Sequence, residues 1–228
     1  MYRSKRYKKL ARVVSPEPME LQDAVRKIKM LATAKFPETV ELAIKLDIDT
    51  KQATQQVRGS FSLPHGLGKT KRVIAFCNPE QVEEALAAGA IKAGLEDLTE
   101  EIMKGFMDFD VAVAIPDARR VIGKLGKILG ARGLMPNPKS GTIGPDIAQL
   151  VREFTAGKVE YRNDSTGNIH VPVGKVDFPD EKLTENIKAM YLHILERRPA
   201  AVRGVYLRSA HICTTMSPAI KLRPISRD

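Results

Sequence analysis

The sequence is poor in aromatic side chains and has no long apolar run. It contains no tryptophan, and aromatic residues make up 5% of its 228 residues. A surface that stacks the bases of single-stranded nucleic acid needs several exposed rings, so this composition disfavours that mode of binding. Crossing a bilayer takes about 20 consecutive apolar residues, and a helix lying on a membrane needs large apolar anchors. We therefore expect no membrane partner and a cytoplasmic location.

Residues that bind metals or attack substrates are also scarce. The two cysteines, Cys77 and Cys213, lie far apart in apolar runs, which indicates reduced core thiols and no disulfide or zinc site. The four histidines are not at metal-ligand spacings, and no set of Ser or Cys with His and an acid stands out. The sequence therefore predicts no metal, no cofactor and no catalytic residue, and the protein is not expected to be an enzyme.

What the sequence has in excess is positive charge. Lysine and arginine number 37 against 27 aspartates and glutamates, which gives a formal net charge of +10. Six of these cations lie before residue 13, in a stretch that has no acid. Such an excess is typical of proteins that bind nucleic acid by neutralising its phosphates.

The spacing of apolar residues divides the chain into two kinds of structure. Over residues 39–48 apolar residues alternate strictly, which predicts a strand with one wet face and one buried face. The runs Val73–Cys77 and Val111–Ile115 are apolar throughout, and helical patterns follow them at Pro79–Ala88 and Asp117–Leu129. Strands that are buried on both faces and alternate with helices are typical of a parallel, Rossmann-like sheet.

After the helical pattern Asp117–Leu129 and a long connecting segment, the kind of structure predicted for residues 39–48 returns. Val159–Arg162 and Ile169–Val173 flank the turn cluster Asn163–Gly167, which predicts a β-hairpin. The elements predicted to follow are a helix at Asp180–Glu196 and strands at 202–209, 212–214 and 220–222.

We therefore predict two domains, of which one is discontinuous. An α+β domain comprises residues 1–66 and 158–228, and an α/β domain of residues 67–157 is inserted into it. The insert contains 12 basic and 12 acidic residues, so the remainder has 25 basic and 15 acidic ones. Because the whole net charge belongs to the discontinuous domain, we expect that domain to bind nucleic acid.

Glycines mark the two junctions between the predicted domains. Gly66, Gly68 and Gly157 give the backbone freedom to turn, which predicts a hinge. The segment Gly66–Thr70 also resembles the end of a phosphate-binding loop, so a phosphate- or nucleotide-binding enzyme is the alternative function. The complete motif needs a glycine where Leu63 stands and a helix after the loop, whereas a strand is predicted there.

The tract Gly130–Thr142 is predicted to be a loop of fixed shape. It holds three glycines and two prolines, which neither a helix nor a strand uses readily. Arg132 and Lys139 would stand on this stiff backbone, and we predict them to be secondary contacts to RNA. A solvated connector with incidental charge is the alternative interpretation.

Eight short segments, in order from about Tyr7 to the C-terminus, share the pattern of a known family. They are Ala34-Lys35-Phe36, Val57-Arg58-Gly59, Leu63-Pro64-His65-Gly66, Phe109-Asp110-Val111, Gly133-Leu134-Met135-Pro136-Asn137-Pro138-Lys139, Tyr161-Arg162-Asn163-Asp164, Gly174-Lys175-Val176-Asp177 and Thr214-Thr215-Met216. Together they resemble the bacterial ribosomal protein L1 family over nearly the whole chain.

The resemblance implies a two-domain fold with both termini in an RNA-binding domain. It implies binding to large-subunit ribosomal RNA at the mobile stalk, close to the exit-site tRNA, with help in releasing deacylated tRNA. It also implies a translational repressor that binds its own operon messenger RNA, and a monomer when free. Carried over position by position, the RNA-binding residues are Lys35, Phe36, Thr39, Arg162, Asp164, His170, Ser209, Thr215 and Met216.

The sequence departs from the family pattern at three positions near these residues. Ser165 stands where the resemblance leads us to expect lysine, Cys213 where it leads us to expect a hydroxyl residue, and Ser217 where it leads us to expect glycine. We expect these changes to alter RNA affinity and not the class of function. A DNA-binding regulator is a third interpretation, which a deoxy version of the RNA target would test.

Overall fold

The computed structural model describes residues 3–226 and divides the chain into two compact units. The terminal unit runs up to Gly68 and resumes at Val159, and the inserted unit is Lys69–Lys158. Each unit has its own hydrophobic core. The predicted class, a discontinuous α+β unit with an inserted α/β unit, is confirmed. The predicted outer limits at residues 1 and 228 lie outside the described residues.

Both units contain helices as well as strands. The helices are α1 (Lys5–Val13), α2 (Leu21–Leu31), α3 (Val82–Ala87), α4 (Glu96–Met103), α5 (Arg119–Gly123), α6 (Gly126–Ala131), α7 (Ile147–Thr155) and α8 (Asp180–Glu196). The strands are β1 (Thr39–Leu46), β2 (Arg58–Ser62), β3 (Val73–Phe76), β4 (Lys92–Gly94), β5 (Val111–Ala114), β6 (Lys158–Arg162), β7 (Asn168–Lys175), β8 (Leu207–Thr214) and β9 (Ile220–Leu222). No helix within residues 3–226 is long and apolar enough to span a membrane.

The terminal unit is built on a four-stranded antiparallel sheet. Its strand order is β7-β1-β8-β9, and α2 and α8 pack on one of its faces. Alternation along β1 places Val40, Leu42, Ile44 and Leu46 in the core, where all four are buried. Because side chains alternate between the two faces of a strand, the residues between them point away from these helices.

The predicted hairpin between the strands that flank Asn163–Gly167 is wrong. β6 pairs with β2 in a separate two-stranded sheet, and β7 pairs with β1. The turn lies where predicted, but the Asn163 side chain accepts a hydrogen bond from the Val57 backbone at 2.8 Å and thereby ties β6 to the distant β2. Gly59 of β2 admits the Tyr161 ring, because a Cβ atom at Gly59 would lie 2.6 Å from the Tyr161 hydroxyl oxygen.

Two other elements differ from their predicted limits. The predicted helix at Asp117–Leu129 is split into α5 and α6 at Lys124–Leu125, where flanking glycines lower the preference for a continuous helix. The strands predicted at 202–209 and 212–214 are one strand, β8, which begins only at Leu207. Gly204 takes a left-handed φ of 76° just before it, so the chain turns there.

The inserted unit has the predicted parallel sheet. Its strand order is β4-β3-β5, and all four residues of β3 are buried. The tract Gly130–Thr142 is only in part the predicted loop, because Gly130 and Ala131 belong to α6 and Pro138–Ser140 forms a short 3-10 helix. Gly133 and Gly141 take left-handed φ values of 71° and 65°, which turn the chain between these elements. The Asn137 side chain accepts the Lys139 N–H at 2.8 Å, and the Asn137 N–H donates to the Thr142 hydroxyl at 2.7 Å.

Candidate nucleic-acid interface

One face of the terminal unit's sheet carries polar side chains and is only partly buried. We call it the open face. Along β1 it extends from Thr39 to Lys45, about 20 Å at the usual rise of a strand. It is a surface on which a folded nucleic acid can lie. The side chains that form it are Thr39, Glu41, Ala43, Lys45, Asn168, His170, Pro172, Ser209, His211, Cys213 and Lys221.

The strand register brings basic and polar side chains into rows across the open face. Ala43 lies opposite His170 on β7 and opposite His211 on β8. Lys45 lies opposite Ser209 in the register, and its ammonium group donates to the Thr166 carbonyl. Burial, helped by the nearby Lys221 charge, lowers the pKa of His211 below its ordinary value and so favours the neutral imidazole. The face therefore offers both ionic contacts and neutral hydrogen-bonding groups.

A buried carboxylate organises the two loops at one end of the open face. Glu38 is 1% exposed, and its Oε1 accepts the Ala34 N–H at 3.0 Å. Its Oε2 accepts the Thr214 hydroxyl at 2.6 Å and the Met216 N–H at 2.9 Å. We call this arrangement the Glu38 clamp. It ties the loop of Lys35 to the loop of Met216, although they are far apart in sequence.

The electrostatics of the Glu38 clamp favour an ionised carboxylate. Burial acts to raise the pKa of Glu38, but the hydrogen bonds from Thr214, Ala34 and Met216 and the charge of Arg6 outweigh it and lower the pKa below its ordinary value. Bonds to a charged acceptor are the stronger kind, so the clamp holds both loops firmly.

Further hydrogen bonds join the same two loops. The Arg6 guanidinium donates to the Thr33 hydroxyl at 2.8 Å and to the Met216 carbonyl at 3.0 Å. The Thr215 hydroxyl accepts the Thr39 N–H at 3.1 Å. With these bonds the loops form one surface whose backbone is fixed before any ligand arrives.

Two apolar side chains stand exposed on the loops. Phe36 is 50% exposed and Met216 is 45% exposed. Ser217 closes the loop beside Met216, because its hydroxyl accepts the Thr214 N–H at 3.0 Å and donates to the Pro218 carbonyl at 3.1 Å. The serine at this departure from the family pattern thus fits the loop without a left-handed backbone. Exposed apolar groups beside fixed hydroxyls can exclude water and strengthen hydrogen bonds to a ligand.

Asp164 organises the turn after β6. Its carboxylate accepts the N–H groups of Thr166 and Asn168, both at 2.8 Å, and also the Thr166 hydroxyl at 2.8 Å. The backbone hydrogen bond from Asn168 is the largest cause of its strongly lowered pKa. Direct contact of Asp164 with RNA stays a prediction, and its observed bonds favour a positioning role for it.

The structure brings the predicted terminal-unit residues to three places in that unit. Lys35, Phe36, Thr39, Thr215 and Met216 lie at the clamped loops, His170 and Ser209 on the open face, and Arg162 and Asp164 at the turn after β6. Arg162 and Lys35 are exposed. The His170 Nδ1 atom lies 2.7 Å from the Glu41 carboxylate, and Lys175 donates to the Thr39 hydroxyl at 2.7 Å.

The remaining predicted residues lie elsewhere. Arg132 and Lys139 are exposed residues of the inserted unit. The predicted hinge glycines take left-handed φ values of 61° at Gly66, 72° at Gly68 and 110° at Gly157. Two of them are also anchored, because Asn186 donates to the Gly66 carbonyl at 3.0 Å and a Cβ atom at Gly68 would lie 2.5 Å from the Phe178 ring.

Sequence reasoning missed several residues of this surface. Arg6 was visible only as one of the six cations before residue 13, and nothing singled out Glu38. Lys45 could have been found, because the alternation along β1 puts it on the same face as Thr39. Placing Lys221 and His211 in one row required the pairing of β8 with β9, which no local pattern gives.

The segment Gly66–Thr70 does not have the structure of a phosphate-binding loop. It leads into strand β3, and the next helical turn along the chain begins only at Pro79. A phosphate-binding loop passes directly into a helix whose N-terminus faces the phosphates. Among the described residues, no cluster of His, Cys, Asp and Glu could hold a metal ion.

Comparison with known proteins agrees with the segments that resemble a ribosomal family. The model of the "Ribosomal protein L1p/L10e family" matches residues 26–218. Relatives named "Large ribosomal subunit protein uL1" include those of Thermosipho melanesiensis (52% identical over 97% of this chain and 96% of the relative), Fervidobacterium nodosum (53%, 96% and 94%) and Thermus thermophilus (49%, 97% and 98%). None of these names describes an enzyme. This chain belongs to the ribosomal protein L1p/L10e family.

Proposed function

We propose that this protein binds large-subunit ribosomal RNA through the terminal unit, at the mobile stalk near the tRNA exit site. The observation that supports this most directly is the Glu38 clamp, which presents Phe36, Thr215 and Met216 on one fixed surface at the end of the open face. A folded RNA is recognised mainly by its shape, its phosphates and its 2′-hydroxyls. Fixed hydroxyls and backbone groups beside apolar side chains suit that kind of contact.

The charged groups around this surface extend the proposed contact. Lys35 and Arg162 are exposed and suited to phosphates, and Lys45 and Lys221 lie on the open face. Ser209 beside Lys45 can exchange hydrogen bonds with a ribose. Asp164 contributes by holding the turn after β6 in shape. The terminal unit thus combines fixed hydroxyls and exposed apolar groups at the clamped loops with cations around them and on the open face.

Two substitutions test the contact assignment. Thr215→Val removes the hydroxyl that fixes Thr39, and Met216→Asp introduces a negative charge into the surface, so together they should cost several kcal/mol of affinity for a stalk fragment of ribosomal RNA. Met103→Asp is the matched control, since Met103 is 49% exposed, close to the 45% of Met216, and belongs to α4 of the inserted unit. If filter binding gives equal RNA affinity for the wild-type chain, the control and the variant with both substitutions, the assignment of these residues as RNA contacts is wrong.

The finer roles rest on the family resemblance. We propose that the protein assists release of deacylated tRNA from the exit site and represses translation of its own operon messenger RNA. Sequencing the RNA that co-purifies with the protein distinguishes ribosomal RNA from messenger RNA in one step. A deoxy version of the bound RNA should compete poorly, because 2′-hydroxyl contacts are part of the proposal. Equal competition would favour a DNA-binding regulator.

Each compact unit is proposed to be a domain, in a protein that is monomeric when free. The predicted boundaries fall at residues 66/67 and 157/158. Gly66 and Gly68 are held within the terminal unit, so we place the flexible part of the first linker between Lys69 and the start of β3. Limited proteolysis should cut there first if this placement is right, and cleavage confined to other loops would contradict it.

A further inference from the structure

The charges of the inserted unit are separated along the chain, although they nearly cancel in sum. Between residues 118 and 145 there are six cations and no acid. All 12 acids of the segment 67–157 lie outside that stretch. We call the six cations the basic ridge. They are Arg119, Arg120, Lys124, Lys127, Arg132 and Lys139, and all of them are exposed.

Helices α5 and α6 put much of the basic ridge on one side. Ile122, Leu125 and Leu129 are buried at spacings of three and four residues and face the core. At the same spacings, Arg120 and Lys127 form a stripe together with Lys124, on the side that points away from that core. All three side chains are exposed, so the stripe is accessible to a ligand.

The cations of the basic ridge differ from most others in the inserted unit. Arg72 pairs with Asp108 and with Asp110, Lys92 pairs with Glu101, and Lys158 pairs with Glu153. No cation of the basic ridge forms an ion pair with any other residue in the described range 3–226. A line of unpaired like charges repels itself, and an anionic partner relieves that repulsion.

Glycines beside the stripe leave the backbone bare. Gly123, Gly126 and Gly130 lie next to Lys124 and Lys127 on the helices and have ordinary negative φ values. A Cβ atom at any of the three would meet no described atom outside its own helix within 4 Å. Glycine weakens a helix relative to alanine, and internal packing does not explain these three. A partner that approaches the backbone closely would explain them.

The composition of residues 118–145 narrows the kind of anion. The stretch contains no aromatic residue, so it has no ring on which a base could stack. None of the large apolar side chains that are exposed in this protein lies in it, and a lipid surface would need such anchors. The anion that fits the basic ridge is therefore a line of phosphates, which the protein contacts without recognising bases.

We propose that the basic ridge is a second RNA-binding surface, which takes the phosphodiester backbone of double-helical RNA independently of base sequence. The choice of RNA over other polyanions rests on the proposed function of the terminal unit. The surface itself does not, because every residue that forms it belongs to the inserted unit.

A pair of variants of the full-length chain tests this surface. Lys124→Gln with Lys127→Gln removes two charges from the stripe, and Lys104→Gln with Arg152→Gln removes two exposed charges elsewhere in the same unit. With a mixed-sequence RNA duplex as the probe, the slope of log affinity against log salt should fall by about two for the first pair, at about 0.9 per phosphate contact, and stay unchanged for the second. Equal slopes for the two pairs would overturn the proposal.

The glycines give a second test in which stability and binding change in opposite directions. Gly123→Gln, Gly126→Gln and Gly130→Gln together should leave the melting temperature equal or higher, because glutamine favours a helix more than glycine does. The same triple variant should bind the duplex at least tenfold more weakly. A folded triple variant that binds normally would overturn the close approach to the backbone.

Two further experiments distinguish RNA from other polyanions and distinguish the basic ridge from the RNA-binding surface of the terminal unit. Polyglutamate or phosphatidylserine vesicles that bind the wild-type chain as tightly as the duplex does would overturn the choice of RNA. The effect of Lys124→Gln with Lys127→Gln should persist in a Met216→Asp background. If that effect disappears there, the ridge is not an independent site, whereas a Met216→Asp variant that keeps full stalk affinity counts only against the terminal-unit assignment.

Discussion

The two units present charge to a nucleic acid in different ways. The terminal unit covers one face of an antiparallel sheet with α2 and α8 and leaves the other face open, with basic and neutral groups in rows. The inserted unit buries β3 and most of β5, the two neighbouring strands of its parallel sheet, so helix surfaces and loops supply most of what remains for contact. The terminal unit holds the net charge, yet the inserted unit carries the six cations of the basic ridge, none of which forms an ion pair with another residue of the range 3–226. A unit whose net charge is near zero can therefore still have a strongly basic region on its surface.

The units also fix their functional side chains by different means. In the terminal unit one buried carboxylate, Glu38, holds two loops through hydrogen bonds from three groups. In the inserted unit the loop after α6 is held by backbone conformation and by Asn137, whose side chain accepts only the Lys139 N–H. We expect single substitutions to damage the first arrangement more than the second.

The largest effect is expected from Glu38→Ala. It leaves the N–H groups of Ala34 and Met216 without their acceptor, and bonds to a charged group are worth about 1.5–3 kcal/mol each. We expect the free energy of unfolding to fall by about 3 kcal/mol and affinity for the stalk RNA to fall with it. Urea unfolding and filter binding measure the two quantities.

A control for that substitution is Glu181→Gln. Glu181 is an exposed acid in the first turn of α8, in the same unit, so its loss should change stability by less than about 0.5 kcal/mol. If Glu38→Ala behaves like this control, the two loops are held by something other than the clamp.

Smaller effects than that of Glu38→Ala are expected from Asp164→Ala and from Asn137→Ala, and the first of these two should be the larger. Asp164 accepts bonds from two backbone N–H groups and from the Thr166 hydroxyl, whereas the Asn137 side chain accepts one bond. The first substitution should cost about 2 kcal/mol and the second about 1 kcal/mol of unfolding free energy. Equal costs would mean that the two turns do not differ in how they are held.

Much of the fold could be predicted from the sequence because its signals are local. The alternation over β1, the apolar runs of β3 and β5 and the helix Asp180–Glu196 all depend on the spacing of neighbouring residues. The pairing of β6 with β2 could not be predicted, since the strands are about a hundred residues apart and their partnership depends on Asn163 and on the space left by Gly59. A turn cluster predicts a turn and not which strands will pair.

The candidate site could be predicted less completely than the fold. Family resemblance supplied Phe36, Thr215 and Met216, but nothing in the sequence indicated that Glu38 lies between them as a buried acceptor. The basic ridge was visible as a stretch without acids. Only Arg132 and Lys139 were predicted to contact RNA, because the net charge of the whole insert is zero and hides the other four cations, whose exposure follows only from the burial of Ile122 and Leu129 against the core.

The smallest effect concerns how salt changes the pKa values of carboxylates in the two units. Asp110 and Glu153 of the inserted unit have lowered pKa values, first because Arg72 and Lys158 donate to them. In the terminal unit Glu38 and Asp164 also have lowered pKa values, but the bonds that lower them come from neutral donors. Each group therefore stabilises the fold above its ordinary pKa, and this contribution is lost as the pH falls through the lowered value.

Salt screens an exposed ion pair far more than a hydrogen bond from a neutral N–H. Carboxyl resonances followed by NMR at low and at high salt should show the pKa of Asp110 rising by about half a pH unit, and that of Glu153, whose pair with Lys158 is less exposed, rising by less. The pKa of Glu38 should not move. A rise of the same size for Glu38 would show that its ionisation depends on the Arg6 charge and not on the hydrogen bonds of the clamp, which would make the two units alike in how they hold their acids.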